Sequence, residues 1–283
     1  MTTCFFVSDL HGRMECYEKL FHRIAEVKPA TLFIGGDFLP PSRRGHNPAV
    51  FLKSWLLPML TDLQAQQGKL FPRIFLIMGN DDGRSCEQDI RDIEQSGIWE
   101  YVACREARPL GDFRVFGYPF VPPTPFFLKD WERYDLSRYV DPGCVSPEEG
   151  FLTFPRDESE RKHATIRSDL DRLFDGASLD HAILLFHAPP YMTKLDRAAL
   201  EGVTIDGVPV DVHLGSIAIR RFIEDRQPLL TLHGHVHESA ALTGSWKDRI
   251  GWTWCFSAAH NGPELALVRF ELENPDQASR ELI

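Results

Sequence analysis

The residues able to do chemistry in this chain fall in five short runs: Asp9-Leu10-His11, Gly36-Asp37, Gly79-Asn80-Asp81, His187, and Gly234-His235-Val236-His237. A solitary histidine after a strand is more often structural than catalytic, so each run alone says little. The set says more. In Asp-x-His or His-x-His on extended backbone, side chains two apart point to the same side and can converge on one ion. A glycine beside each ligand lets the backbone turn sharply. Carboxylate oxygens, imidazole nitrogens and one amide oxygen suit divalent cations such as Mn, Fe, Zn or Mg. No thiolate belongs to the set, which argues against a structural zinc site.

These runs need elements to hold them. Short apolar stretches at 4–7, 31–34 and 73–78 read as strands, the last two stopped by glycine. Between them, 15–27 carries Leu20, Phe21, Ile24 and Val27 at helical spacing. Residues 48–67 read as a helix that Pro58 should kink or break, and 87–95 as another. This β-α-β-α-β order predicts a parallel or mixed sheet with helices on its faces. Sites in such sheets collect beyond the carboxyl ends of strands, which directs attention to Asp9, Asp37 and Asn80. Residues 102–118 hold one or two more strands, 157–174 a charged amphipathic helix, and 181–186 a strand ending at His187. A helix over 216–225 starts at a Ser216 N-cap. Further strands fit 229–232, 252–257 and 265–272.

Residues 119–160 differ: four early prolines (119, 122, 123 and 125) accompany Phe126, Phe127, Trp131, Tyr134 and Tyr139, without a clean period. So many aromatics need burial, which predicts an ordered insertion packed on the core, with the rim of the site as a place for it. The expectation is one domain over 1–283 carrying this insertion.

Composition narrows the function. A formal net charge of -10 disfavours extended binding to nucleic-acid backbones, while leaving room for a small phosphate substrate beside metal ions. Six cysteines without a CxxC pair read as reduced, buried thiols. The N-terminus lacks the basic region of a signal peptide, and no apolar run reaches the length of a membrane span. The expected location is the cytoplasm. Oligomeric state is not legible here.

In this order the motifs resemble the calcineurin-like metallophosphoesterase superfamily, whose pattern runs D-x-H, G-D, G-N-H-D/E, a lone His, then G-H-x-H. The chain supplies Asp9-Leu10-His11, Gly36-Asp37, Gly79-Asn80-Asp81-Asp82, His187-Ala188-Pro189-Pro190 and Gly234-His235-Val236-His237. The resemblance covers residues 9 to 237. It implies a two-sheet mixed β-sandwich flanked by helices, an α/β fold. It implies two divalent metal ions: one held by Asp9, His11 and His237, the other by Asn80, His187 and His235, with Asp37 bridging. A pair of cations about 3.5–4 Å apart activates water for in-line attack on phosphorus.

Two departures from the pattern matter. Asp81 stands where the family usually has a histidine that contacts a phosphoryl oxygen or protonates the leaving group. It is either an acid, its pKa raised by burial or by Asp82, which stands beside it as a further catalytic candidate, or a brace for a ligand loop. His213, just before the helix at 216, is a substitute acid or a plain loop histidine, with the helix start beside it able to receive a phosphate. Arg13 reads mainly as a solvated helix-start residue and secondarily as a phosphate contact. His233 and His260 read as structural. After Asp37 the chain has Phe38-Leu39-Pro40-Pro41 in place of the V-D-R-G of protein Ser/Thr phosphatases, which disfavours that activity. The expected function is metal-dependent phosphoester hydrolysis on a small or mid-sized molecule, with a phosphodiesterase favoured. A monoesterase and a non-catalytic metal-binding scaffold are the alternatives. A nuclease is disfavoured by the charge and by the lack of a basic, aromatic-interleaved stripe.

Overall fold

In the computed structural model the described residues are 2–41 and 47–283. The first strands, β1 (Thr3–Val7), β2 (Thr31–Gly35) and β3 (Arg73–Ile77), are runs of apolar residues buried on both faces, as parallel central strands must be. Helices α1 (Met14–Val27), α2 (Pro48–Phe51), α3 (Leu57–Gln67) and α4 (Glu87–Gln95) make the crossovers. Strand β4 (Glu100–Tyr101) ends this parallel run. A second series follows: β5 (Arg108–Leu110), β6 (Phe113–Tyr118), helices α5 (Glu158–His163) and α6 (Ile166–Leu173), then β7 (Ala182–Phe186). A hairpin of β8 (Thr204–Ile205) and β9 (Val208–Pro209) precedes α7 (Ile217–Arg226). The chain closes with β10 (Leu230–His233), α8 (Ser239–Thr243), β11 (Lys247–Ile250), β12 (Thr253–Ser257), β13 (Ala266–Glu271) and β14 (Asn274–Leu282).

Two six-stranded sheets result, ordered β14-β13-β1-β2-β3-β4 and β11-β12-β10-β7-β6-β5. Within each, four strands are parallel (β1 to β4, and β6, β7, β10, β12), and the remaining strands at the edges are antiparallel. Their facing sides share one apolar core, where Phe256 of β12 meets Phe270 of β13 edge-on at 5.8 Å. The expected mixed two-sheet architecture is what the chain forms. No helix among the described residues is long and apolar enough to cross a membrane.

Four expectations need correction. Pro58 does not break the helical path: a π-helical turn at Leu52–Leu56 joins α2 to α3 just before it. Proline offers no N–H to the carbonyl four residues back, and a widened turn absorbs that loss. The segment 157–174 is two helices, because Thr165 caps α6 in a reciprocal box with Ser168. The insertion buries Phe120, Trp131 and Tyr134 but leaves Phe126, Phe127 and Tyr139 exposed, so burial does not account for all its aromatics. The cysteines are free thiols, and four of the six are buried, with Cys104 and Cys144 outside the core.

The insertion is pinned by polar anchors. The Lys129 ammonium, fully buried, donates to Glu132 at 2.5 Å, and Glu132 also accepts from Thr124. Burial pushes the Glu132 carboxyl up to about 7 despite Lys129. Asp135 accepts from Ser216 Oγ and from the first N–H groups of α7, seating a carboxylate at a helix start. Trp131 Nε1 donates to the Asp82 carbonyl at 2.8 Å, which fastens the insertion to a ligand loop.

Candidate metal centre

The five runs sit at the carboxyl ends of β1, β2, β3, β7 and β10, at adjacent edges of the two sheets. The backbone turns abruptly there. Asp9, His11, Asp37 and His235 all adopt positive φ, between 47° and 73°. Left-handed backbone at non-glycine residues costs of order 1–3 kcal/mol each and gathers at functional sites. Gly36, with φ 99°, and Gly79 complete the turns. A Cβ on Gly79 would meet the Asp37 backbone N at 2.6 Å and the His187 ring at 2.7 Å, so only glycine lets these loops approach.

Hydrogen bonds lock the loops together. Asp9 N–H donates to the Gly36 carbonyl at 3.0 Å and His11 N–H to the Asp37 carbonyl at 2.8 Å. Asp81 N–H donates to Asp37 Oδ1 at 2.7 Å, and His235 N–H donates to Asp9 Oδ1 at 3.0 Å. His187 Nδ1 lies 2.8 Å from the Gly35 carbonyl, so that nitrogen carries the proton and Nε2 faces the centre.

All seven residues read as ligands from the sequence come together. His11 Nε2 lies 3.2 Å from His237 Nε2, which lies 3.3 Å from Asp9 Oδ1. Across the centre, Asn80 Oδ1 is 3.1 Å from His187 Nε2 and 2.7 Å from His235 Nδ1, and His187 Nε2 is 3.2 Å from Asp37 Oδ2. Asp9, His11 and His237 form one group with ligand atoms within 4.8 Å of one another. Asp37 joins Asp9 and His187 in a second group, and His11 and Asp81 in a third. Ligands about 2.1 Å from a common cation, at tetrahedral or octahedral angles, stand about 3.0–3.4 Å apart, which matches most of these spacings.

The electrostatics fit a cation as well. Burial would raise the Asp9 carboxyl, yet the hydrogen bond and charge of His237, with His187 and His11, hold it far below its ordinary value. Asp37 is likewise lowered against its burial, chiefly by His187. His187 is pushed up to about 10, because Asp37 and Asp9 outweigh its burial, whereas burial and the neighbouring His187 push His235 down to about 3. Two buried carboxylates held ionised call for compensating positive charge, which an imidazolium or a metal ion can supply.

The remaining candidates divide. Asp81 is half-exposed on the wall of the adjoining cavity, with Oδ1 3.2 Å from Asn80 Nδ2 and Oδ2 3.8 Å from His11 Nδ1. His213 lines the same cavity, its Nδ1 2.9 Å from the Oδ1 of Asp196. Asp196 is fully buried and also accepts from three backbone N–H groups, at Met192, Thr193 and Gly215. Sequence reading missed Asp196, which has no motif around it. Asp82 turns away from the cavity: fully buried, it accepts from the backbone N–H of Phe38, Leu39 and Gly79. The catalytic role expected of Asp82 gives way to the geometry of a brace joining two ligand loops. Arg13 is likewise occupied, donating to the carbonyls of Leu10, Gly262 and Asp9. His233 is buried between the Ala188 carbonyl and Thr231, and burial pushes it down to about 3, as a structural neutral imidazole. His260 pairs with Glu264.

Comparison with known proteins accords with this geometry. Residues 2–239 match the model of the calcineurin-like phosphoesterase family. The fold is shared with the protein TT1561 of Thermus thermophilus at 14% identity and a TM-score of 0.60, covering 99% of this chain and 98% of that one. A novel archaeal phosphodiesterase aligns at 9% identity over 99% of both chains with a TM-score of 0.42, too distant to bear on substrate. No curated protein is close enough in sequence to count as a relative. The chain belongs to the calcineurin-like phosphoesterase family, whose members hydrolyse phosphoesters with the help of metal ions.

Proposed function

We propose that this member of the calcineurin-like phosphoesterase family is a phosphodiesterase acting on a small or mid-sized molecule through two divalent ions. Asp9, His11 and His237 would hold one ion, Asn80, His187 and His235 the other, and Asp37 would serve both. The support is the convergence of these seven side chains from five strand ends. Ions bound there supply Lewis acidity toward the phosphoryl oxygens and make a coordinated water acidic enough to react near neutral pH. Mn, Fe, Zn and Mg all suit this donor set.

The protein's own residues do the rest. His187 and Asn80 are held in one orientation by the Gly35 carbonyl and by Asp81, so their donor atoms need little rearrangement. Asp82 keeps the loops of Asp37 and Asn80 in register. His213, steadied by Asp196, is the candidate proton donor to the leaving oxygen. Diester preference rests on Asp81: a carboxylate on the cavity wall repels the dianion of a monoester more than the monoanion of a diester. The test is turnover of bis-p-nitrophenyl phosphate against p-nitrophenyl phosphate by Mn-loaded enzyme. A higher kcat/KM for the diester is expected. A higher value for the monoester overturns the diesterase reading.

A further inference from the structure

The metal centre opens into a cavity of about 690 Å³, in the range that takes a drug-sized molecule. One wall belongs to the insertion and presents Pro122, Pro123, Phe126 and Tyr139. A second wall comes from the segment after the β8–β9 hairpin and the start of α7, and presents Val210, Leu214 and Ile217. The two walls are far apart in sequence and line one cavity together with Asp37, Asn80, His235 and His237. Phe126 is 49% exposed and Leu214 37%, so apolar surface lies uncovered at this cavity. Its charged lining residues, apart from the metal ligands and His213, are carboxylates: Asp81, Asp135, Asp141, Asp211 and Glu238.

We infer that the arm of the substrate beyond the phosphoryl group is apolar and carries no negative charge of its own. The inference rests on reading the centre as the phosphoester site and names the class of molecule it takes. Two apolar walls give such an arm surface to cover, and each methylene they bury strengthens binding. A second phosphate or a carboxylate on the arm would instead meet Asp141 and Asp211, which line the same cavity; burial and then the charge of Asp211 already raise the Asp141 carboxyl. Tyr191 donates to Asp211 Oδ2 at 2.6 Å and so offers this wall no spare donor for an anion. Nucleoside polyphosphates and sugar bisphosphates are therefore disfavoured, and diesters in which a single phosphate carries an apolar or aromatic alcohol are favoured.

The test measures binding, so it does not depend on which ester is cut. Calorimetry on Mn-loaded protein would titrate O-methyl alkylphosphonates, monoanionic mimics of a diester, from methyl to hexyl. A parallel series would use the dianionic alkylphosphonates. A fully buried methylene strengthens binding by about fourfold, and partial burial of five of them predicts a fall in Kd of at least about tenfold along the series. A hexyl arm ending in a carboxylate should bind more weakly than the plain hexyl arm. Phe126→Ser with Leu214→Ser should cut the gain from chain length to about half. A flat series, tighter binding of the carboxylate arm, or an undiminished gain in the double variant each overturns the inference. Preference for the dianionic series with the chain-length gain intact would instead count against the diesterase reading alone.

Discussion

Replacing Asp82 by alanine removes both oxygens that receive the backbone N–H groups of Phe38, Leu39 and Gly79, at 3.3, 2.9 and 2.9 Å. All three donors are then left in a site where Asp82 itself is 0% exposed. An unpaired buried donor costs about 1–3 kcal/mol, and the variant is relieved of burying a carboxylate, which offsets part of the sum. A net loss of about 3 kcal/mol is expected. For a chain of this size that lowers Tm by about 6–12 °C. Because the three donors flank Asp37 and Asn80, metal affinity should also fall, by about tenfold or more, as for other residues that orient ligands. The assay is thermal unfolding by circular dichroism in chelator, followed by Mn titration. Asp82→Asn keeps an acceptor for Leu39 but turns an amide toward the other two donors, and should fall between alanine and the parent. An alanine variant that melts within about 2 °C of the parent yet is inactive would refute the brace and return Asp82 to the chemistry.

Three further outcomes follow from the same geometry. Asp81→Asn should shift the ratio of monoester to diester turnover toward the monoester by about tenfold, since one unit charge near a half-exposed site is worth about 1–2 kcal/mol after solvent screening; an unchanged ratio removes the basis for diester preference. His213→Ala should lower kcat about 100-fold for esters of alkyl alcohols but only slightly for p-nitrophenyl esters, whose leaving group needs no proton; equal loss on both denies it the role of acid. Trp131→Ala, which removes a side chain 2% exposed and its bond to the Asp82 carbonyl, should destabilise the fold by about 3–5 kcal/mol and raise KM; a stable variant with unchanged KM would show that the insertion is not tied to the site through this residue.

Much of the fold was legible in the sequence because its central strands are short, mostly apolar and closed by glycine or by a polar residue. β1, β2, β3, β7 and β10 could be placed to within a residue or so on that signal alone. Ser216 was legible as an N-cap for a related reason, its hydroxyl accepting from Ile219 N–H at 3.0 Å. What escaped lacks such signals. β11 and β14 are edge strands with charged and polar residues, the latter reading Asn-Pro-Asp-Gln-Ala-Ser-Arg-Glu-Leu, and their pairing is decided by the neighbour rather than by local pattern. The break between α5 and α6 rests on one threonine within an otherwise periodic run. At the site, the seven metal-ligand candidates were visible as motifs because each is flanked by the glycines or strand ends that its turn requires. The motif that holds Asp82 does not show that it braces loops, and Asp196 was not separable from surface acids by type. Only the folded chain shows that one is enclosed by three amides and the other by three amides and an imidazole. The cavity walls, built from residues 71 to 95 positions apart, carry no one-dimensional signature at all.

The most direct measurement is the metal content of the purified, Mn-reconstituted protein by mass spectrometry of the elements, alongside Asp37→Ala. About two ions per chain are expected for the parent, and for the variant a loss of metal together with loss of phosphoester hydrolysis. A parent that retains no divalent metal, or an Asp37→Ala protein with full metal content and full activity, would contradict the two-ion centre.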